Sequence, residues 1–270
     1  MRIALSSYTY TWAVGADGRW PTHPLDAFDL VERAQELAVA VVQVADNLPL
    51  DDLSDKRLRE LAAFSADCGV GIEVGTRGID RAHLASYLRI AGILGSPLVR
   101  VVVDRGDHHP SLSEARAGLA RSETAFRDAG IILAIENHDR YRASELAGLV
   151  GDLGDWTGIC LDTVNSFGAL EGPEVVIATL APLAVNVHVK DFDVVRLPHS
   201  MGFSVEGRPV GGGRLDVSAL LSAVRASGRE PTAVIELWTP EQPTLAASIE
   251  LEADWARQSV RYLREECALD

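Results

Sequence analysis

The sequence predicts an α/β protein closed into a single (β/α)8 barrel, and three observations carry that prediction. Short Val- and Ile-rich runs recur eight times along 270 residues, each followed by a segment of helical periodicity. Most of these runs are apolar throughout rather than alternating, as strands buried on both faces of a parallel sheet are. Several run straight into carboxylates or an imidazole, and the carboxyl edge of such a sheet is where βα folds do chemistry.

The expected strands are Ile3–Ser7, Val41–Ala45, Val70–Val74, Leu98–Asp104, Ile131–Asn137, Gly158–Thr163, Val185–Lys190 and Ala233–Leu237. Val and Ile dominate them because branched side chains pack well on a pleated, buried surface. Between them, Pro24–Ala38 carries Leu25, Phe28, Leu30, Val31, Ala34 and Leu37 near helical spacing. Ser54 suits an N-cap for a helix through Cys68, with Gly69 as its stop. Asp80–Leu94 ends at Gly95, and Ser111–Ala129 ends at Gly130 after a Ser111/Glu114 capping box. Helical segments at Ser144–Leu149, Pro173–Leu180, Asp216–Ser227 and Pro243–Leu263 complete the set.

An open doubly wound sheet is the competing architecture. It would carry GxGxxG after its first strand, where this chain has SSYTYTW. The glycine-rich GGGRLD at Gly211–Asp216 follows a loop, not a strand, which argues against a phosphate cradle. Without a linker or low-complexity stretch, residues 1–270 read as one domain. The polar stretch Asp191–Gly213 exceeds the usual βα loop of ~2–6 residues and reads as a lid over the barrel mouth.

Composition excludes several function classes. Apolar residues make up 47% and charged ones 24%, enough for a core and ordinary for a soluble chain. A net charge of −14 disfavours phosphate backbones and anionic lipid, so neither nucleic acid nor membrane is an expected partner. Cys68, Cys160 and Cys267 are odd in number and far apart, against a disulfide framework or a thiolate zinc site. No apolar run approaches ~18 residues and the N-terminus turns polar after Leu5, so a cytoplasmic protein is expected.

The site residues emerge from spacing. In IILAIENHDR, Glu136 and His138 share one face of a strand and Asn137 takes the other. Asp162 closes a second strand, His188 and Lys190 share a face of a third, and Glu236 ends a fourth. Asp162 follows Glu136 by 26 residues, His188 follows Asp162 by 26, and Glu236 comes 48 later, beyond the long loop. Equal steps of one βα unit bring these groups to one level at the barrel mouth. Three uncompensated carboxylates so close would repel strongly, and a divalent cation relieves that. Three oxygen donors with one imidazole suit Mn²⁺ first, with Mg²⁺ and Co²⁺ also compatible.

With IENH, CLDTVN, HVKDF and VIEL in this order, the chain resembles the xylose isomerase-like TIM barrel superfamily over nearly its whole length. The superfamily holds sugar isomerases, ketose 3-epimerases, hydroxypyruvate isomerase, inosose dehydratase and endonuclease IV. The resemblance implies that Glu136, Asp162, His188 and Glu236 bind one divalent metal, that Glu136 and Glu236 also serve as acid and base, and that a homodimer is possible. A cation that holds a carbonyl and a neighbouring hydroxyl stabilises an enediolate, and a carboxylate beside the adjacent carbon removes its proton. The first expectation is therefore a metal-dependent isomerase or epimerase of a small ketose or sugar acid.

The alternative is a lyase on the same scaffold, either a keto-polyol dehydratase or a decarboxylase of a 3-oxo sugar acid such as 3-oxo-isoapionate. One departure bears on the choice. Ketose 3-epimerases usually carry His three residues after the metal-binding Asp, and this chain has Asn165 there. HVKD looks more like the inosose dehydratase branch, and Lys190 is suited to protonate a leaving oxygen, hold a carboxylate, or pair with Asp191 or Glu136. A DNA-repair endonuclease would need more histidines at strand ends, and a non-catalytic sugar-binding barrel would not need two glutamates on one metal. His138, Asn165 and Tyr8 are expected substrate contacts, Tyr10 and Trp12 stacking walls, and Arg208 a clamp for a substrate carboxylate. His108 and His109 are assigned to solvent, and His199 is left open.

Overall fold

Ten strands organise the chain in a computed structural model that describes residues 1–270. They are β1 (Ile3–Ser6), β2 (Val41–Val44), β3 (Gly71–Arg77), β4 (Leu98–Val102), β5 (Ile132–Glu136), β6 (Thr157–Asp162), β7 (Ala184–Val189), β8 (Asp191–Arg196), β9 (Phe203–Arg208) and β10 (Thr232–Ile235). Eight of them close a parallel barrel in the order β1-β10-β7-β6-β5-β4-β3-β2, while β8 and β9 pair only with each other, antiparallel. The helices are α1 (Thr11–Val14), α2 (Ala27–Glu36), α3 (Asp55–Asp67), α4 (Arg81–Leu94), α5 (Leu112–Ala120), α6 (Glu123–Ala129), α7 (Ala143–Leu153), α8 (Pro173–Leu180), α9 (Val217–Ala226) and α10 (Leu245–Glu265). The single (β/α)8 TIM barrel is thus present as a closed ring. No helix is long and apolar enough to cross a membrane.

The helices start where the chain offers caps. Ser54 accepts from Arg57 N, Asp80 from Ala82 N and His83 N, and Ser111 forms its capping box with Glu114. Gly95 and Gly130 end α4 and α6 in the left-handed conformation, at φ 69° and 65°. The expected Ser111–Ala129 helix is two helices, broken at Arg121–Ser122, where the buried Ser122 hydroxyl has no hydrogen-bond partner. The helix expected at Ser144–Leu149 runs on to Leu153, because burial of Val150 and Leu153 outweighs the poor propensity of Gly148 and Gly151.

Inside the barrel, small apolar clusters of Ala4, Val41 and Val234, and of Leu98, Ala134 and Cys160, fill part of the lumen. Other interior positions are polar: Gln43, Glu73, Arg100, Glu136, Asp162, Asn186, His188 and Glu236 are all buried. Such a lumen is stable only if these groups satisfy one another. Gly75 makes room for the arginine, since a Cβ there would lie 3.5 Å from Arg100 Cδ and 3.2 Å from Ala45 Cα.

The stretch expected to be a loop lid is the β8–β9 hairpin. Its strands are short and largely solvated, so they lack the apolar run that would have marked them. The hairpin docks on the barrel through Gly207, where any side chain would collide with the Trp238 backbone. The glycine-rich turn beyond it wraps its own anion: Asp191 accepts from the backbone N–H groups of Gly211, Gly213, Leu215 and Phe192. Those donors are consumed internally.

Candidate active site

Glu136, Asp162 and His188 stand at or next to the carboxyl ends of β5, β6 and β7, and Glu236 follows β10 directly. Register places Asp162 opposite His188. All four are essentially inaccessible. His188 Nδ1 lies 3.5 Å from Glu136 Oε2, 3.6 Å from Asp162 Oδ2 and 3.4 Å from Glu236 Oε1. Ligands held at ~2.0–2.2 Å around one cation stand about this far apart.

The structure also supplies two cations that the sequence-based electrostatic argument left out. Arg100, from the middle of β4, pairs through Nε with Glu136 and through Nη1 with Asp46 at 2.9 Å. Lys190 Nζ lies 2.9 Å from Asp162 Oδ2 and 2.8 Å from Glu236 Oε2, and 3.3 Å from Asn165 Oδ1. Its partners are therefore Asp162 and Glu236, not Asp191 or Glu136. The carboxylates are compensated even without a metal, so repulsion alone does not require one.

Orphaned atoms make the stronger case. His188 Nδ1 is fully buried without a hydrogen-bond partner, and Asp162 Oδ2 and Glu236 Oε2, equally buried, share the single ammonium of Lys190. Carboxylate oxygens and one imidazole nitrogen, desolvated and converging, fit a divalent cation. Asp162, His188 and Glu236 form one candidate triad, and Glu136, grouped with His188 and Cys160 in another, completes the set while shared with Arg100 and with Asn165 Nδ2, 2.8 Å from its other oxygen.

Burial alone would raise Asp162 and Glu236, but Lys190 and His188 outweigh it and hold both below the usual carboxylate range. Burial likewise opposes charge on Lys190 and His188, and the surrounding carboxylates reverse it, raising both. Loop contacts hold the frame. Asp162 Oδ1 accepts from Val164 N and Asn165 N at 2.8 Å each, and Ser6 donates to Glu236 Oε1 at 2.8 Å. Outward-facing Asn137 clips β5 to β6 by bonds to the Asp162 backbone.

A cavity of about 320 Å³ opens above this cluster. Tyr8, Asn165, His138, Lys190 and Glu236 line it, with Trp12, Leu237 and Trp238 as an apolar wall. Tyr8 donates to Asp46 at 3.0 Å; Tyr10 is buried behind the wall. Arg208 is not in the cavity. Its guanidinium is held on the hairpin by Glu206 at 3.1 Å and by the Gly207 carbonyl, so it is not placed as a substrate clamp. Nor does any residue of Asp191–Gly213 line the cavity. His109 pairs with Asp104 on an exposed loop, and His199 and His108 are exposed as well.

The cavity's other cation is Arg77, which sequence reading missed along with Arg100 and Asp46. Arg77 Nη2 lies 2.7 Å from His138 Nε2, and its Nε lies 3.2 Å from Asp46 Oδ2. A signal existed for Arg100: in LVRVVV a lone charge interrupts an otherwise apolar strand, and a charge there must face partners inside the lumen.

Comparison with known proteins agrees with this architecture. A 3-oxo-isoapionate decarboxylase from Pectobacterium atrosepticum is 33% identical over 264 residues, spanning 97% of this chain and 95% of that protein. A D-psicose 3-epimerase from Clostridium cellulolyticum H10, solved with D-tagatose, superposes with a TM-score of 0.74 at 14% identity over 98% of each chain. A xylose isomerase-like TIM barrel protein from Mycobacterium smegmatis, solved with magnesium, gives 0.66 at 16% over 96% of each. The model of the xylose isomerase-like TIM barrel family matches residues 31–266, and the chain belongs to that family of enzymes.

Proposed function

We propose that this protein is a divalent-cation-dependent decarboxylase of a 3-oxo sugar acid, 3-oxo-isoapionate or a close analogue, releasing CO₂ and a ketose. The observation that carries the reading is the charge balance of the site. Around the cation site four carboxylates (Asp46, Glu136, Asp162 and Glu236) face three cations (Arg77, Arg100 and Lys190), so with His188 neutral as a ligand one net negative charge remains. A bound divalent ion turns that into one net positive charge, which a substrate carboxylate neutralises. A neutral ketose would leave a buried charge uncompensated, at a cost of several kcal/mol. The full-length likeness to a decarboxylase supports the same choice.

Glu136, Asp162, His188 and Glu236 would hold the cation, which when bound supplies Lewis acidity at the substrate carbonyl. The bond to the carboxyl carbon breaks, CO₂ leaves, and the electron pair passes into an enediolate. One proton must then reach carbon. In this reading Lys190, which lines the cavity beside Asp162 and Glu236, delivers it. Arg77 and His138 orient the acid from the opposite wall, and Trp12, Leu237 and Trp238 keep water from the carbanion-like carbon. No base at carbon is needed, and both Glu236 oxygens are already engaged by Ser6 and Lys190. The proposal takes a small sugar acid as partner and neither nucleic acid nor membrane.

A second reading, isomerisation or epimerisation of a ketose, is favoured by one observation: Glu136 and Glu236 face the same centre from opposite strands. The test is incubation of Mn²⁺-loaded enzyme with 3-oxo-isoapionate and, separately, with a ketose panel. Stoichiometric CO₂ from the acid supports the proposal. Ketose interconversion without CO₂ release from the acid overturns it.

A further inference from the structure

Beneath the cation ligands lies a second layer of buried polar side chains that the reaction does not touch. Glu73 of β3, Gln43 of β2 and Asn186 of β7 are all inaccessible to solvent. Gln43 Nε2 donates to Glu73 Oε2 at 3.1 Å and to Asn186 Oδ1 at 3.0 Å, and Asn186 Nδ2 donates to Glu73 Oε2 at 2.8 Å. The remaining atom of the Gln43 amide, Oε1, lies 2.7 Å from His188 Nε2.

The donors and acceptors fit in one way. Glu73 Oε2 accepts from both amide nitrogens, so both turn toward it. Gln43 must then present its oxygen to His188. An oxygen demands a donor, so His188 carries a proton on Nε2, and Nδ1 is the nitrogen left to offer a lone pair to a cation. That lone pair is the one facing Glu136, Asp162 and Glu236.

We infer that Glu73 and Gln43 are positioning residues for the metal centre: through the Glu73 oxygen that both amides share and the Gln43 amide it locks, they fix the ring orientation of His188 and commit its Nε2 proton to Gln43, so that Nδ1 is offered to a divalent cation. The inference rests on the metal centre proposed above and is independent of whether the reaction is decarboxylation or isomerisation. Partners that orient a ligating histidine in this way contribute about 10–100-fold to metal affinity. Glu73→Gln replaces the acceptor by a group that can also donate, frees Gln43 to rotate, and allows the Nδ1–H tautomer that cannot bind a cation. Gln43→Leu removes the acceptor for Nε2–H outright. Exchanging the two roles, Gln43→Glu with Glu73→Gln, again gives His188 an accept-only partner with an amide beside it.

The test is calorimetric titration of metal-stripped protein with Mn²⁺, alongside the visible spectrum of the Co²⁺-loaded form and the melting temperature without metal. The expected result is a roughly 10–100-fold weaker Mn²⁺ affinity in Glu73→Gln and Gln43→Leu, an altered Co²⁺ spectrum, and recovery toward wild type in the exchanged double variant. Glu73→Gln is nearly isosteric, so it keeps the test alive if Gln43→Leu fails to fold. Wild-type binding with unchanged affinity and spectrum in folded Glu73→Gln would overturn the positioning role alone. Absence of Mn²⁺ binding by wild type would overturn the metal centre itself, and the clamp with it.

Discussion

Replacing Arg100 by Met separates the barrel's own charge compensation from that of the cation. The guanidinium is almost wholly buried between Glu136 and Asp46. Asp46 keeps Arg77 at 3.2 Å and the Tyr8 hydroxyl at 3.0 Å. Glu136 keeps only the Asn165 amide at 2.8 Å and His188 at 3.5 Å, so the variant strands one buried carboxylate. Breaking a buried pair this way costs about 3–5 kcal/mol. The metal-free variant should therefore lose about 3–5 kcal/mol at pH 7, or ~6–20 °C in melting temperature. Saturating Mn²⁺ should restore most of the loss, because the cation then compensates Glu136. Calorimetric melting at pH 7, with chelator and with Mn²⁺, reads both numbers. A loss below about 1 kcal/mol at pH 7, or no recovery with Mn²⁺, would refute the argument.

Three further outcomes are expected. Lys190→Met should reduce turnover by about 10²–10⁴-fold while retaining the cation, measured by CO₂ release beside elemental analysis; near-normal turnover would remove Lys190 as proton donor. Wild-type protein dialysed without chelator should hold about one equivalent of metal, and Asp162→Ala and His188→Ala should hold almost none; full retention in both would discard the ligand set. Glu252 of α10 accepts from Trp12 N and Ala13 N at 2.8 and 2.7 Å, and burial pushes its carboxyl up to about 8 against the pull of those donors. The folded form therefore holds this proton more tightly than the unfolded chain. Stability is full below the ordinary value of 4.5 and falls as pH rises through about 8, by an amount on the order of 4 kcal/mol. Urea unfolding from pH 5 to 8 should show that slope and Glu252→Gln should flatten it; parallel profiles would contradict the assignment.

Much of this barrel was legible because its strands are buried on both faces and so read as apolar runs. Glu136, Asp162, His188 and Glu236 stood out because each ends or directly follows such a run at repeating βα spacing. Arg100, Glu73 and Gln43 were hidden for the opposite reason. Each is a single polar residue within a strand, and only the closed ring brings Gln43 of β2 against Asn186 of β7, three strands away around the barrel. The hairpin was missed because exposed strands need no apolar face, and Arg208 misled because loop sequence does not say whether a cation meets the cavity or its neighbour Glu206. The break between α5 and α6 left no sequence mark, since apolar spacing runs on from Leu119 to Phe126 across it.

The central claim, that this site breaks a carbon–carbon bond and protonates the resulting enediolate, is tested most directly in D₂O. Mn²⁺-loaded enzyme acting on 3-oxo-isoapionate to half conversion should give CO₂, a ketose carrying a single deuterium at the former carboxyl-bearing carbon, and recovered acid free of deuterium. Deuterium in the recovered substrate with no CO₂ released would contradict the account and assign the two glutamates to proton transfer at carbon in an isomerase.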